Sequence, residues 1–405
     1  MATPRRTPLV LLQVANLVSG VSNAVVALAF PWLVLEETGS ATAAGAVAAV
    51  SALPALVAAP LTGWLIDHLG RKVVSVFSDI LSAISVAAIP IVALVAELNY
   101  AEIVVLAVIG AIFDPAGYSA RRALIPDAAS VAHFDVDRLN GIHQGIFALG
   151  WTTGPVFAAG LIELLGPINA FWLPTGLFVV AAISVAAMRV GDAGQAARAE
   201  RDAVASGAAS LFRGFTALWM DRPLRLLTLS VLLISAVYWP TETVVLPAHF
   251  NALDTAASLG VVISALAGGS MVGAFAYGWI SKRLRPSALV RCIMIGTSLS
   301  MLPMALLPPL PVMVAFAFLL GLSWGPFDPL MSTLVQTRIP ADEHGRVYGA
   351  QLSAFYAAPP LGMLVAGFGV DRYGVSATYL ALAGLVTLAA IRIIPSKSVR
   401  ELDHE

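Results

Sequence analysis

Apolar stretches long enough to cross a lipid bilayer run through almost the whole chain. A transmembrane helix needs about 20 mainly apolar residues. Twelve stretches near that length fall at 10–33, 43–66, 73–96, 101–123, 140–163, 167–189, 224–247, 257–280, 288–308, 311–334, 346–369 and 374–395. Hydrophobic residues make up 59% of the chain and charged residues only 12%, whereas soluble domains carry roughly 25% charged residues. The sequence therefore predicts an all-α integral membrane protein with twelve transmembrane helices.

The chain also repeats itself at about half its length. Phe113-Asp114-Pro115 precedes Ile125-Pro126, and Phe327-Asp328-Pro329 precedes Ile339-Pro340 with the same internal spacing. Self-similarity at a fixed offset is typical of a duplicated unit. Both copies place an aspartate inside an otherwise apolar stretch, which in a membrane protein is a position to examine for function.

The repeat and the basic residues together predict the domain organisation and the orientation. We expect two pseudo-symmetric six-helix halves, at 1–190 and 221–405, joined by a polar, alanine-rich linker at 191–220. Loops on the side of the N-terminus hold all but one of the 23 Lys and Arg residues, the exception being Arg372. Because cytoplasmic loops collect positive charge, we predict that both termini and the linker are cytoplasmic.

Two motifs resemble those of a known family. Gly63-x-x-x-Asp67-x-x-Gly70-Arg71-Lys72, between the second and third spans, resembles the signature loop of the major facilitator superfamily. Gly141-x8-Gly150-x3-Gly154-Pro155, in span five, is similar to the motif of its drug-exporting antiporter branch. Over nearly its whole length the chain resembles the Tap-type multidrug (tetracycline and aminoglycoside) exporters of actinobacteria and, more distantly, macrolide-efflux proteins. The resemblance implies the major facilitator fold, in which spans one, four, seven and ten line a central cavity.

The signature loop supplies most of a candidate gating latch. Its members are Gly63, Asp67, Gly70, Arg71, Lys72, Asp79, Arg121 and Arg346. The two loop glycines allow close helix approach and a tight turn. Asp67 is expected to face the positive N-terminal end of span eleven near Arg346, a contact that in the family resembles a latch on the outward-open state. An ordinary tight cytoplasmic turn is the alternative.

The other charged residues of the latch have predicted partners as well. Arg71 and Lys72 are expected to pair with Asp79, further along span three. Arg121 is expected to pair with Asp67 or Asp79, or to act only as a positively charged anchor at the cytoplasmic side.

Span five carries the candidate kink residues Gly150, Gly154 and Pro155. The glycines remove side-chain bulk and the proline removes a backbone donor, which permits close packing and a bend. Simple packing of small residues is the alternative. The resemblance implies export for this motif.

Three carboxylates are candidates for proton coupling: Asp114, Asp328 and Glu242. Asp114 lies eight residues before Arg122 and Asp328 ten before Arg338, about 12 and 15 Å along a helix, so both fall near mid-depth. A carboxylate there costs a few kcal/mol unless it is hydrated, paired or protonated, which suits a group that binds and releases a proton. Capping of a proline-broken helix or pairing with a polar neighbour is the alternative for the aspartates, and an outer-vestibule carboxylate for Glu242.

Several residues near the expected cavity are candidate substrate contacts: Asn23, Phe113, Tyr238, Trp239, Trp324 and Phe327. Aromatic rings can hold a lipophilic or cationic drug by stacking and cation–π contacts, with helix packing as the alternative.

Other chemistries find no support in the sequence. The chain has no Walker loop for ATP, no histidine spacing of a metal site and no convincing nucleophile motif, and a net charge of −1 gives no reason to expect nucleic acid. We therefore expect no enzyme activity, no metal and no cofactor, with the proton gradient as energy source. The expected partners are an amphipathic small molecule, protons and the lipid bilayer, and the protein is expected to be a monomer. A dedicated exporter of one endogenous metabolite or siderophore, a passive uniporter and a non-transporting receptor remain alternatives.

Overall fold

The computed structural model describes residues 6–96, 98–190, 216, 219–339, 347, 351 and 355–403, without the side chains of 55–68, 137 and 336. The helices before the linker are α1 (Thr7–Thr38), α2 (Ala41–Leu69), α3 (Arg71–Ala93), α4 (Tyr100–Ala123), α5 (Ile125–Ala132), α6 (Val136–Leu165) and α7 (Trp172–Ala187), with a 3₁₀ turn at Asn169–Phe171. The helices after it are α8 (Arg222–Pro240), α9 (Leu246–Ala252), α10 (Ala256–Ile280), α11 (Pro286–Ala305), α12 (Leu310–Trp324), α13 (Phe327–Arg338), α14 (Pro359–Tyr373), α15 (Val375–Ile393) and α16 (Lys397–Arg400). A π-helical segment at Thr241–Val245 joins α8 to α9, and a 3₁₀ turn at Glu401–Asp403 follows α16.

The predicted all-α membrane fold is confirmed. Ten helical stretches of the described chain are long and apolar enough to cross a membrane. Helix α2 covers the whole of the predicted span at 43–66, and α14 overlaps the second half of the predicted span at 346–369. The described residues form no β-strand.

The chain divides into two compact units. Unit 1 comprises residues 1–39, 50–205 and 254–260, and unit 2 comprises residues 40–49, 206–253 and 261–405. The first turns of α2 therefore belong to unit 2, and the first residues of α10 belong to unit 1. The predicted boundary at 191–220 falls almost entirely outside the described residues and stays a prediction.

In unit 1, α1 packs against α6 and α7, and α3 packs against α4 and α7. The glycines of span five set the distance between α1 and α6. A Cβ atom on Gly150 would lie 3.0 Å from the backbone nitrogen of Val21, and one on Gly154 would overlap the Ala24 side chain. Helix α6 continues without interruption through Pro155, so the contacts of this motif are those of close helix packing.

In unit 2, the span that carries the second Phe-Asp-Pro copy is interrupted. Helix α12 ends at Trp324 and α13 begins at Phe327, so the break lies at Gly325 and Pro326. Pro329, which directly follows Asp328, does not lie at this break. Pro329 occupies the first turn of α13, where the backbone N–H that proline lacks would have no acceptor within the helix. Helix α4 likewise runs without a break through Pro115.

The C-terminal segment closes one end of unit 2. Val399 and Leu402 are buried in its core, and the Asp403 carboxylate accepts hydrogen bonds from the backbone N–H (2.9 Å) and hydroxyl (2.5 Å) of Ser287. Burial alone would raise the pKa of Asp403, but these hydrogen bonds, together with Arg285 and Arg291, lower it below its usual range. Asp403 therefore caps the N-terminus of α11 from a distant part of the chain.

Replacing Asp403 with Asn removes the negative charge at the N-terminus of α11 and beside Arg285 and Arg291, and should lower the free energy of unfolding by about 0.3–1 kcal/mol. The measurement is the thermal unfolding temperature of the purified protein in detergent. Glu401→Gln, which removes a carboxylate two residues away, is the matched control and should leave that temperature unchanged. Equal effects of the two substitutions would contradict the capping role.

Candidate functional site

A buried ion pair links three helices of unit 1. Arg121 on α4 donates from Nη1 to both carboxylate oxygens of Asp79 on α3, each at 2.8 Å. Its Nη2 donates to the Ser19 hydroxyl on α1, also at 2.8 Å. The two charged side chains are only 2–3% exposed. Of the roles considered for Arg121, the structure shows the pairing with Asp79 rather than a solvated anchor.

Arg71 and Lys72 have partners other than the predicted Asp79. Arg71 Nη1 lies 3.1 Å from Asp127 Oδ2 on α5. Lys72 Nζ donates to the backbone oxygen of Met188 at 2.8 Å, just past the end of α7, where a cation is favoured by the helix dipole. Asp79 lies two turns further along α3, about 11 Å away, and its oxygens are held by Arg121.

The remaining residues of the predicted latch are only partly described. Gly70 has φ +94°, a conformation that glycine adopts freely and other residues rarely do. Gly63 and Asp67 lie in α2, within the range whose side chains are not described, and Arg346 lies outside the described residues. The contact between Asp67 and span eleven therefore stays a prediction.

Serines of α3 hold the first Phe-Asp-Pro copy. Ser82 donates to Asp114 Oδ1 at 2.8 Å, and Ser78 donates to the backbone oxygen of Phe113. Ser82 lies three residues after Asp79, so the Asp114 carboxylate and the ion pair share one polar face of α3. Sequence reasoning missed these serines, although their helical spacing within an apolar span was a usable signal.

The second copy has a different environment. Asp328 is exposed and occupies the first turn of α13, where the helix dipole stabilises a negative charge. Asp114 is half-buried in the middle of an unbroken helix. The coupling roles of both aspartates stay predictions, with the helix-start position of Asp328 favouring the capping alternative there.

Glu242 lies in the π-helical segment that follows Pro240. Its side chain is half-buried, and Tyr238 precedes it by one helical turn. Proline lacks the backbone donor that a regular helix would use here, and π-helical insertions occur frequently at functional sites. The sequence indicated a bend at Pro240 but not the π-helical geometry.

The aromatic candidates separate into one core residue and several half-buried ones. Phe327 is only 2% exposed and lies in the core of unit 2. Its ring stacks on Trp324 at 4.7 Å between centroids, and Trp324 stacks on Tyr238 at 6.5 Å. Neighbouring side chains cover the Phe327 ring in this structure, which fits the helix-packing alternative, and its role as a substrate contact stays a prediction. The half-buried candidates stay predictions: Asn23, Phe113, Tyr238, Trp239 and Trp324.

Asp371, at the end of α14, caps the N-terminus of α2 within unit 2. Its carboxylate accepts from Ser40 Oγ at 2.7 Å, Ala41 N at 2.8 Å and Thr42 N at 2.9 Å. Burial alone would raise the pKa of Asp371, but the hydrogen bonds from Thr42, Ser40 and Ala41 lower it below its usual range. The sequence had drawn attention to Asp371 only as the neighbour of Arg372.

One further ionisable group is buried beside the ion pair. His143 on α6 is 1% exposed, and its backbone oxygen accepts from Asn16 Nδ2 on α1 at 2.7 Å. Sequence reasoning passed over it, since it searched the histidines only for metal spacing. Within the described chain, no group of three or more His, Cys, Asp or Glu residues could hold a metal ion.

Comparisons with known proteins agree with this architecture. The family model of the Major Facilitator Superfamily matches residues 12–356 and 243–402. The chain is 37% identical to the multidrug efflux pump Tap of Mycolicibacterium fortuitum, over 100% of this chain and 99% of that protein. It is 24% identical to macrolide efflux protein A of Streptococcus pyogenes, over 95% of each. The crystal structure of the nucleoside transporter NupG superimposes with a TM-score of 0.78 at 13% identity, over 95% of this chain and 98% of that one.

Breaking the buried pair should be costly. Asp79→Asn leaves the Arg121 charge unpaired in the protein interior, so we expect a loss of about 3–5 kcal/mol in unfolding free energy. The double variant Asp79→Asn/Arg121→Gln should lose less than the sum of the two single variants. Thermal unfolding of the four proteins gives the coupling energy. Arg71→Gln, in a more exposed pair, should cost about 0–1 kcal/mol, and strictly additive effects at Asp79 and Arg121 would contradict the pairing.

The Asp371 cap should make stability depend on pH at the acid side. Because its pKa is lowered in the folded protein, the ionised carboxylate stabilises the fold above the ordinary aspartate pKa of about 3.9. This contribution is lost as pH falls through the lowered value. Asp371→Asn should cost about 0.5–1 kcal/mol near neutral pH and flatten the acid limb of unfolding temperature against pH. The exposed Glu163→Gln is the control, and an unchanged acid limb in Asp371→Asn would count against the cap.

Proposed function

The chain belongs to the major facilitator superfamily, and on that premise we propose that it exports amphipathic drugs or natural products in exchange for protons. The membrane in question is the bacterial cytoplasmic membrane, with both termini on the cytoplasmic side. The observation that carries the export assignment is the 37% identity, over the full length of both chains, to a multidrug efflux pump. The macrolide efflux protein is a second, more distant relative that supports the same direction of transport.

Proton coupling needs a group that is stable in two protonation states at different stages of transport. Asp114 suits this role because Ser82 stabilises its charged form with one hydrogen bond, while its position in a predicted span penalises that form. Glu242 suits it for a different reason. The π-helical segment interrupts regular backbone bonding, so the segment can change its geometry when the carboxylate is neutralised.

The substrate surface that we propose is aromatic and apolar. Trp239, Trp324 and Tyr238 are half-buried, so part of each ring is open to a ligand. Such rings bind flat lipophilic groups by stacking and cationic groups by cation–π attraction. A coupling carboxylate would attract a cationic substrate only while it is deprotonated and therefore negatively charged. Protonation would then weaken binding and release the substrate.

The cycle that follows uses the proton gradient and no cofactor. Substrate enters from the cytoplasm or the inner leaflet while the coupling carboxylates are deprotonated. After the protein opens outward, protons bind to these carboxylates and the substrate leaves. The protonated carrier returns to its inward-facing form and releases the protons to the cytoplasm, which restores the deprotonated carboxylates. A single chain with two halves is sufficient for this cycle, so we propose a monomer that needs only the lipid bilayer, protons and a small molecule.

Substitution of the coupling acids should separate transport from its energy source. In liposomes with an imposed pH gradient, the wild-type protein should move at least one compound of a panel of tetracycline, streptomycin, erythromycin and ethidium. Asp114→Asn and Glu242→Gln should each reduce this gradient-driven movement to background, because neither amide can carry the proton. Both should retain exchange of labelled for unlabelled compound, which needs no net proton movement.

The matched control is Asp254→Asn, which removes an exposed carboxylate at φ +54°, a conformation that Asn also tolerates. It should transport like the wild-type protein. Full gradient-driven transport in both coupling variants would contradict the assignment of these acids. If the wild-type protein moves the panel compounds equally well with and without the pH gradient, the result would indicate a uniporter instead.

A further inference from the structure

The interface between α1 and α6 in unit 1 contains buried polar groups without partners. Neither ring nitrogen of His143 has a hydrogen-bond partner, and neither does either amide atom of Gln13. The amide oxygen of Asn16 and the Nε of Arg121 also have no hydrogen-bond partner. All of these atoms are inaccessible to solvent.

Unpartnered polar atoms in a protein interior are unfavourable and uncommon, and each calls for a physical explanation. Gln13 and Asn16 lie three residues apart on α1, so they share one face of the helix. Ser19, three residues further, continues that face and accepts from Arg121. His143 is joined to the row through the bond between its backbone oxygen and Asn16. This polar face of α1 therefore runs from Asn16, which is bonded to the His143 backbone, to Ser19, which is bonded to Arg121 of the Asp79–Arg121 pair.

The charged groups around the ring can be assigned helix by helix. Arg121 and Arg122 of α4 are the positive charges that act on it, and Arg121 is compensated by Asp79 of α3. Helix α5 contributes Asp127, which is bonded to Arg71. Helix α1 has no titratable residue between Arg6 and Glu36, and α6 itself carries Asp137 and Arg138 in its first turn and Glu163 near its end. None of these contacts joins a carboxylate to the His143 ring.

We propose that His143 is a further proton-binding residue of the transport cycle, held at the α1–α6 interface by the bond between its backbone oxygen and Asn16. This inference rests on the proposed proton coupling and extends it to a group outside the three carboxylates. An imidazole is suited to the role because its unperturbed titration lies in the physiological pH range. Its two nitrogens without partners leave one free to accept a proton.

Proton binding by His143 forms and breaks a single N–H bond. A ring nitrogen accepts a proton from water to form the imidazolium, and the same N–H bond breaks when the proton returns to water. In the arrangement of the structure, the ring is buried and closed off from water. The glycines at 150 and 154 that press α6 onto α1 lie on the same helix, two and three turns beyond His143. Movement of α6 against α1 would hydrate the ring and allow it to take up a proton.

Two measurements test the proposal. The first is the pH profile of gradient-driven transport in liposomes for wild type, His143→Asn and His143→Gln, with tetracycline as the probe. Both variants should shift the midpoint of the profile by about one pH unit or more, while exchange of labelled for unlabelled tetracycline is retained. His133→Asn is the control, because His133 is exposed and has φ +50°, which Asn tolerates; it should leave the profile unchanged.

The second measurement follows deuterium exchange at the imidazole C2 position of the wild-type protein in lipid nanodiscs, resolved by peptide mass spectrometry. His143 should titrate within pH 5–8, and tetracycline should shift its midpoint. This second measurement uses only the wild-type protein, so it requires neither transport activity nor a variant that folds. If the wild-type protein moves no compound, the proposed export fails, and the exchange result alone decides whether His143 binds a proton. An unchanged transport profile in both His143 variants, or a ring that stays neutral down to pH 5 with and without tetracycline, would overturn the proposal.

Discussion

The buried contact between Asp79 and Arg121 is the interaction on which the organisation of unit 1 depends. Two opposite charges in a protein interior lose their hydration, and only close pairing with additional hydrogen bonds offsets that loss. Here the guanidinium group spans both carboxylate oxygens and also reaches Ser19, so α1, α3 and α4 are held in register by one side chain. Apolar residues could fill the same volume at lower electrostatic cost. The pair is therefore better explained by the register that it imposes on three helices than by a net gain in stability.

The polar groups of unit 1 extend outward from this contact. Ser82 connects Asp114 to the same face of α3, and the row of polar residues on α1 leads to His143. The protonation of any one of these groups changes the electrostatic environment of the others, because they lie in a low-dielectric surrounding. Under the proposed proton coupling, the groups of unit 1 would titrate as a coupled set. Glu242 lies separately in the π-helical segment of unit 2.

The sequence was sufficient for the fold and insufficient for the partners. Apolar stretches and basic loops predict the spans, since the bilayer fixes their length and the backbone must satisfy its own hydrogen bonds. The pairing of Asp79 with Arg121 was one of the predicted alternatives, although the two residues are 42 positions apart. The predicted pairing of Arg71 and Lys72 with Asp79 was wrong, because these residues bind Asp127 and the Met188 backbone instead. Likewise, proline positions alone do not predict where a helix breaks. Pro115 lies inside an unbroken helix, whereas Pro326 marks a break. The duplicated motif predicted similar roles for Asp114 and Asp328, and the structure gives them different surroundings.

The most direct test of proton-coupled export is proton movement that the substrate itself drives. Purified protein in liposomes with a pH-sensitive dye inside, and no imposed pH gradient, would receive an outward or inward gradient of tetracycline, streptomycin, erythromycin or ethidium. Exchange for protons predicts that protons move in the direction opposite to the compound. The internal pH should therefore rise when the compound enters and fall when it leaves, with no change in liposomes without protein. Movement of a compound with no change in internal pH would contradict coupling, and no movement of any compound would contradict drug export by this chain.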